Sequence, residues 1–249
     1  GISKKVVERS LKHKIHVITP NKALISKHGD YLSKLAEVNK VNFEFEASVC
    51  GGIPILRTIK EGLATNRISK IYGILNGTSN YILSEMEKSK DNLQNVLKKA
   101  QSLGYAEPGN AKLDLNGSDA MSKVKILSSL GYNMKISPNK CLMEGIQNIE
   151  SEDIDIADKL NFRIKLLGIT EIINNKILER VHPCLIKKDT YIANVQGVMN
   201  AVILNGIPVG KSVLQGEGAG PEPTSSALMS DLLSILRGNI KFPFGIAYK

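Results

Sequence analysis

Residues 2–49, ISKKVVERSLKHKIHVITPNKALISKHGDYLSKLAEVNKVNFEFEASV, set the class of fold. Ile2–His13 has helical periodicity, Lys14–Pro20 is a short apolar strand, and Lys22 to about Val38 is a second helix. Val41–Val49 then alternates apolar and polar residues, as a half-buried strand does. Helix, strand, helix, strand is the order of a parallel α/β sheet. Thr19, Pro20, Asn21 and Lys22 close the first strand, and the carboxyl ends of strands in an open α/β sheet face the ligand crevice. Lys22 is therefore placed to meet a ligand, although the same residues also read as a plain helix start capped by Thr19 or Asn21. No G-x-G-x-x-G follows any of the strands, so the usual dinucleotide fingerprint is missing.

Further along, Glu46–Pro54 (EASVCGGIP) ends that second strand in a loop before a helical run, Ile55–Asn66, and Gly51 and Gly52 predict a turn. Arg67–Leu75 reads as a strand, and Asn76-Gly77-Thr78-Ser79 leads into a helix whose natural cap is Thr78 or Ser79. The free N–H groups of such a helix start also suit an anion. Helices are expected from about Leu93 to Leu103 and from Ser151 to Leu160. Phe162–Thr170 and Ile177–Ile186 flank Asn174-Asn175, a hairpin signal. Val198–Leu204 and Ile207–Leu214 flank Asn205-Gly206, a stronger one, because a type I′ turn needs positive φ at both central positions. Antiparallel strands beside parallel ones predict a mixed sheet, with edges of the kind that pair across a dimer. Gly216, Gly218 and Gly220 precede a last helix expected to be capped near Thr224, and Pro221 departs from the dinucleotide pattern there.

Chemistry concentrates in Gly104–Lys123, GYAEPGNAKLDLNGSDAMSK. Glu107, Asp114, Asp119 and Lys123 fall within one loop and one helix start, with Pro108, Gly109 and Gly117 as breakers. Asp119 opens an amphipathic helix that closes at Gly131. Ala120, Met121, Val124, Ile126, Leu127 and Leu130 form its apolar arc, and Asp119 and Lys123 lie inside that arc, four residues apart, where they can touch. On spacing alone this is an ordinary surface ion pair. On a buried face, a lysine beside carboxylates becomes a group whose proton can be put to use.

GYAEP and DLNGSDAMSK, with VITPNKALI (17–25), EASVCGGIPILRTIKEGLATNRI (46–68), ILNGTSNYIL (74–83), VQGVMNAV (195–202) and GEGAGPEPTSSAL (216–228), resemble homoserine dehydrogenase in the same order over nearly the whole chain. The run between Glu107 and Asp114 is one residue longer than that family's usual spacing. The resemblance implies the end of a Rossmann-like sheet, residues 1–45 joined by 222–249, followed by a mixed-sheet catalytic and dimerisation domain, 46–221, covered by helices. It implies NAD(P)-dependent reduction of aspartate 4-semialdehyde to homoserine. Lys123 would be the proton donor, with Lys22 as second candidate; Glu107, Asp119, Asp114, Tyr105, Gly77 and Thr78 would line the substrate site. Thr19, Pro20, Lys22, Gly218 and Gly220 would touch NADP or NAD. Glu46, with the carbonyls of Val49, Gly51 and Ile53, would hold a monovalent cation, sodium in the family. A homodimer is implied as well, and a chain that starts within the nucleotide-binding domain and is by itself impaired in cofactor binding.

Composition narrows the alternatives. Apolar residues make up 42% and charged residues 23%, as in an ordinary globular protein. No apolar run is long enough to span a membrane and no secretory leader is present, so a cytoplasmic location is expected. Cys50, Cys141 and Cys184 make no disulfide framework, and His13, His16, His28 and His182 lack metal-ligand spacing. A net charge of +9 suits a nucleic-acid binder, but the lysines are scattered and aromatics are only 5%, so nucleic acid is not an expected partner. The rival from another class is an amino-acid-binding or dimerisation module without chemistry, since the cofactor fingerprint is missing.

Overall fold

The computed structural model describes residues 1–107, 111–238 and 242–245. The expected opening order is present: α1 (Ile2–Lys12), β1 (Val17–Ile18), α2 (Lys22–Asn39) and β2 (Phe43–Glu44), with β1 and β2 parallel and Val17 opposite Phe43. The Asn21 side chain caps α2 by accepting from Leu24 N at 3.0 Å. Leu11 of α1 and Ile25, Leu32 and Ala36 of α2 are fully buried.

The strand expected over Val41–Val49 is only two residues long, and Glu46–Ser48 forms a 3₁₀ turn instead. Every residue from Val41 to Glu46 is buried, so the alternation does not mark one wet face. Its two carboxylates find partners inside, although Glu44 Oε1 is buried with no hydrogen bond among the described residues. Glu44 pairs with buried Lys60 at 3.1 Å, and Glu46 caps the helical segment that follows, α3 (Ile55–Arg57) continuing as a π-helical turn over Thr58–Gly62.

Beyond it lie β3 (Arg67–Ile74), α4 (Gly77–Ser89), α5 (Leu93–Ser102), α6 (Lys112–Leu115) and α7 (Ser118–Tyr132), and then β4 (Leu142–Met143) and α8 (Ser151–Lys159). The chain continues through β5 (Phe162–Ile173), β6 (Lys176–Lys187), β7 (Met199–Ile207), β8 (Gly210–Glu217) and α9 (Pro221–Leu236). The six strands from β3 to β8 form one mixed sheet in the order β4-β6-β5-β3-β7-β8, in which only the β4–β6 pair is parallel. Helix α7 crosses one face: Thr170 Oγ1 donates to Ser128 Oγ at 3.1 Å. A Cβ at Gly168 would sit 2.6 Å from Leu75 and Val124, so glycine there lets helix and sheet approach.

The hairpin signals fared differently. Asn174 and Asn175 both take positive φ and join β5 to β6 as expected. Asn205 and Gly206, the stronger signal, are inside β7, opposite Lys211 and Gly210, and the turn is at Pro208-Val209. The reason is tertiary: β3 pairs with β7 as far as Arg67 opposite Ile207, and Asn66 accepts from Val209 N, which carries the strand past the Asn-Gly. Helix α9 likewise begins three residues before Thr224, at Pro221, a residue pre-shaped for a first helical position, with Gly220 before it at φ 113°.

The main buried core runs without a break from Val7 and Leu11 through Phe43 and Phe45 to Val124, Val202 and Phe244. Phe45 packs against both Phe43 and Phe244, ring centroids 5.5 and 5.3 Å apart, which ties the end of β2 to the C-terminal segment expected to join residues 1–45.

Candidate active site

Helix α7 begins after Gly117, whose φ of 84° is open to glycine at little cost, and it presents Asp119 and Lys123 to the interior. Their side chains are each 8% exposed and joined at 2.9 Å. Lys123 Nζ also donates to the Leu75 carbonyl at 2.6 Å, where β3 gives way to α4. The other Asp119 oxygen is 2.8 Å from Lys22 Nζ, whose side chain is 41% exposed. One buried carboxylate thus bridges two lysines about a hundred residues apart in sequence.

Asn76 completes the cluster. Its Oδ1 caps α4 by accepting from Ser79 N at 2.8 Å, the role expected of Thr78 or Ser79. Its Nδ2 donates to Asp119 Oδ2 at 2.9 Å and to Asp114 Oδ1 at 2.7 Å. Asp114, expected to line the substrate site, bonds to Asn76 and acts on Lys123 through the shared field. Sequence reasoning passed over Asn76; the signal was an asparagine immediately before the first residue of a helix. Replacing Asn76 by alanine is expected to cost about 0.5–2 kcal/mol, the usual worth of such a cap, in urea unfolding. An unchanged unfolding midpoint would show that the cap is dispensable.

The electrostatics follow from this crowding. Burial works against the charge of Asp119, but Lys123 and Lys22 outweigh it and hold its carboxyl well below the usual range. Desolvation likewise opposes the charge of Lys123, and the paired Asp119 carboxylate overcomes it and raises the ammonium above its ordinary value. For Asp114, burial and then the neighbouring Asp119 push the carboxyl up. The site therefore holds a protonated lysine in a nearly water-free setting.

Other predicted residues gather around this core. Thr78 Oγ1 donates to the Tyr105 carbonyl at 2.7 Å, and the Tyr105 ring lies 4.9 Å from that of Tyr81, so the loop carrying Tyr105 and Glu107 is held against the start of α4. Glu107 is exposed; Pro108, Gly109 and Asn110 are outside the described residues. Thr19 accepts from Asn21 N and Pro20 from Lys22 N, which puts the end of β1 one ion pair from Asp119. Gly218 accepts from Gly51 N at 3.0 Å and Glu217 from Gly52 N at 2.9 Å, so the glycine loop before α9 lies along the loop of residues 50–52.

Glu46 is buried, its two carboxylate oxygens accepting from Leu56 N at 2.9 Å and Arg57 N at 2.8 Å. Burial pushes its pKa up to about 7. A hard cation at this carboxylate would need further oxygen ligands. Among the described residues no group of three or more His, Cys, Asp and Glu is arranged for a metal, so such an ion would depend on the carbonyls of Val49, Gly51 and Ile53.

Residues 54–233 match the family model described as homoserine dehydrogenase. Over 237 residues the chain is 45% identical to a homoserine dehydrogenase of Neisseria gonorrhoeae, covering 95% of this chain and 54% of the relative. It superposes with a TM-score of 0.92 and 43% identity on the crystal structure of a homoserine dehydrogenase from Thiobacillus denitrificans, covering 94% of this chain and 54% of that one. A hyperthermophilic archaeal homoserine dehydrogenase in complex with NADPH matches with a TM-score of 0.82 at 27% identity, over 95% and 69% of the two chains. The chain spans about half the length of the curated relatives it matches.

Proposed function

The chain belongs to the homoserine dehydrogenase family, and from that membership we propose that it carries the substrate and proton-transfer half of an NAD(P)-dependent oxidoreductase that converts aspartate 4-semialdehyde to homoserine on the route to threonine, isoleucine and methionine. The single observation that supports this most is the Asp119 carboxylate bridging Lys22 and Lys123 beside the start of α4. The bound nicotinamide cofactor would supply the hydride. Lys123, held protonated by Asp119 and aimed by the Leu75 carbonyl, gives a proton to the aldehyde oxygen as negative charge grows there. Burial of the ammonium strengthens its pull on that charge. Asp119 and Glu107 receive the substrate ammonium. Lys22, the more exposed of the two lysines, occupies Oδ1 and is the one free to move aside; it is also the second candidate for the donor.

Thr19, Pro20, Lys22, Gly218 and Gly220 make the cofactor side, and residues 1–45 with 222–249 are assigned to the nucleotide-binding unit. Sodium at Glu46 with Val49, Gly51 and Ile53 would neutralise a carboxylate that burial leaves short of positive charge. A homodimer fits the edge strand β8, where Val213 and the adjoining Ile207 and Val209 are exposed. No described helix is long and apolar enough to cross a membrane, and a cytoplasmic setting fits a small-molecule reaction of this kind.

The direct test is calorimetric binding of L-homoserine to the purified chain. Binding is expected, weakened about 10- to 150-fold in Asp119→Asn, the worth of one charge-assisted hydrogen bond. A folded chain that ignores homoserine, or an Asp119→Asn variant that binds it equally well, would overturn this assignment.

A further inference from the structure

The side chain of Asn200 lies where three candidate segments meet. Asn200 is the second residue of β7, pairs with Gly216 of β8, and is 1% exposed. Its Nδ2 donates to Cys50 Sγ at 3.3 Å, while its buried Oδ1 accepts no hydrogen bond among the described residues. A Cβ at Gly218 would stand 2.1 Å from Nδ2 and 2.7 Å from Oδ1. One at Gly77 would stand 3.4 Å from Oδ1 and 2.6 Å from the Val198 carbonyl. The amide fills a notch that the two glycines leave open.

An amide is a costly filler for such a notch. A buried polar atom without a partner is destabilising, and such departures from good local design gather at functional sites. Gly77 belongs to the turn assigned to substrate, Gly218 to the loop assigned to cofactor, and Cys50 to the loop beside Glu46. Burial pushes the Cys50 thiol up, so Asn200 meets it as a neutral group, and Lys123 is within electrostatic reach of that thiol. A small shift of this amide would therefore be felt on both sides of the reacting centre.

We propose that Asn200 is a positioning residue of this site: its amide, wedged between Gly77 and Gly218 and bonded to Cys50, sets the spacing between the substrate turn and the cofactor loop. The role rests on the function proposed above, because only then do those two segments face one reaction. The test is a size swap read by homoserine binding, with each variant held well below its own unfolding midpoint. Asn200→Ala empties the notch and Gly218→Ala pushes a methyl into the amide. Each is expected to weaken binding about 10-fold or more, as sub-ångström to ångström displacements do. In the double variant the new methyl occupies the vacated space, and binding returns to within about threefold of the parent, the non-additivity expected of touching sites. A purely structural role would lower the unfolding midpoint of Asn200→Ala and leave homoserine affinity unchanged. Equal binding by a folded Asn200→Ala chain, or a double variant no better than the singles, overturns the proposal while the function stands. A folded parent chain that does not bind homoserine overturns both.

Discussion

Under the proposed function, Lys123→Met is expected to lower aldehyde-dependent oxidation of NADPH by about 10²–10⁴-fold, the range that one positioned proton donor contributes. Methionine keeps the unbranched apolar stem of the lysine and removes only the ammonium. Breaking a buried ion pair usually leaves a stranded charge that costs several kcal/mol. Here Asp119 keeps Lys22 at 2.8 Å and Asn76 at 2.9 Å, so the carboxylate stays partnered and the fold is expected to survive. Homoserine binding is then expected to persist while turnover is lost, a separation that would assign Lys123 to the chemical step. Lys123→Arg is expected to be nearly as inactive, since a guanidinium keeps its charge but does not release a proton near neutrality. If Lys123→Met turned over as the parent does and Lys22→Met did not, the donor would be Lys22. The measurement is the decay of NADPH absorbance with aspartate 4-semialdehyde, beside calorimetry with homoserine.

Stability is expected to fall as the pH rises from about 4.5 to about 7, because burial raises the folded-state pKa of Glu46 from 4.5 to about 7. Between those values the folded chain holds a proton that the unfolded chain has released, so raising the pH favours unfolding. The contribution is fully present below the unfolded value and is lost as the pH passes through the folded one. It amounts to about 3 kcal/mol, from roughly 1.4 kcal/mol per pH unit. Asp231, driven up to about 6 by burial and the nearby Glu44, adds to the same slope. Asp119 acts with the opposite sign, but its stabilisation disappears only as the pH falls below the ordinary aspartate range, outside this window. Glu46→Gln keeps an oxygen for the helix N–H groups and removes the titration, so the difference between parent and variant isolates this residue. Urea unfolding across the range gives the slope, in sodium chloride and in tetramethylammonium chloride. Sodium bound by an ionised Glu46 would flatten the slope in the first salt only. Identical slopes in parent and Glu46→Gln would remove Glu46 as its source, and identical slopes in both salts would remove the cation.

Much of this was legible in the residues themselves. The four-residue spacing put Asp119 and Lys123 on one helical face, and the apolar arc around them already indicated a buried pair. Asn174-Asn175 encodes its own turn through the backbone conformations asparagine tolerates. The opening order of α1, β1, α2 and β2 followed from hydrophobic period alone. These are local facts, decided within one or two turns of helix or the length of a strand.

What tertiary structure alone decided was which distant groups share an atom. Lys22 reaches Asp119 because β1 ends where α7 begins, and Asn76 joins Asp114 to Asp119 because β3 delivers it there. The Asn205-Gly206 signal gave way to pairing with β3, since the ladder gained along β7 outweighs the preference of one dipeptide. Glu46 and Glu44, read from sequence as the wet side of a strand, turned inward because helix N–H groups and Lys60 were there to receive them. Sequence spacing governs neighbours along the chain; the partner of a buried charge is settled by packing, since only packing removes the water that would otherwise serve in its place.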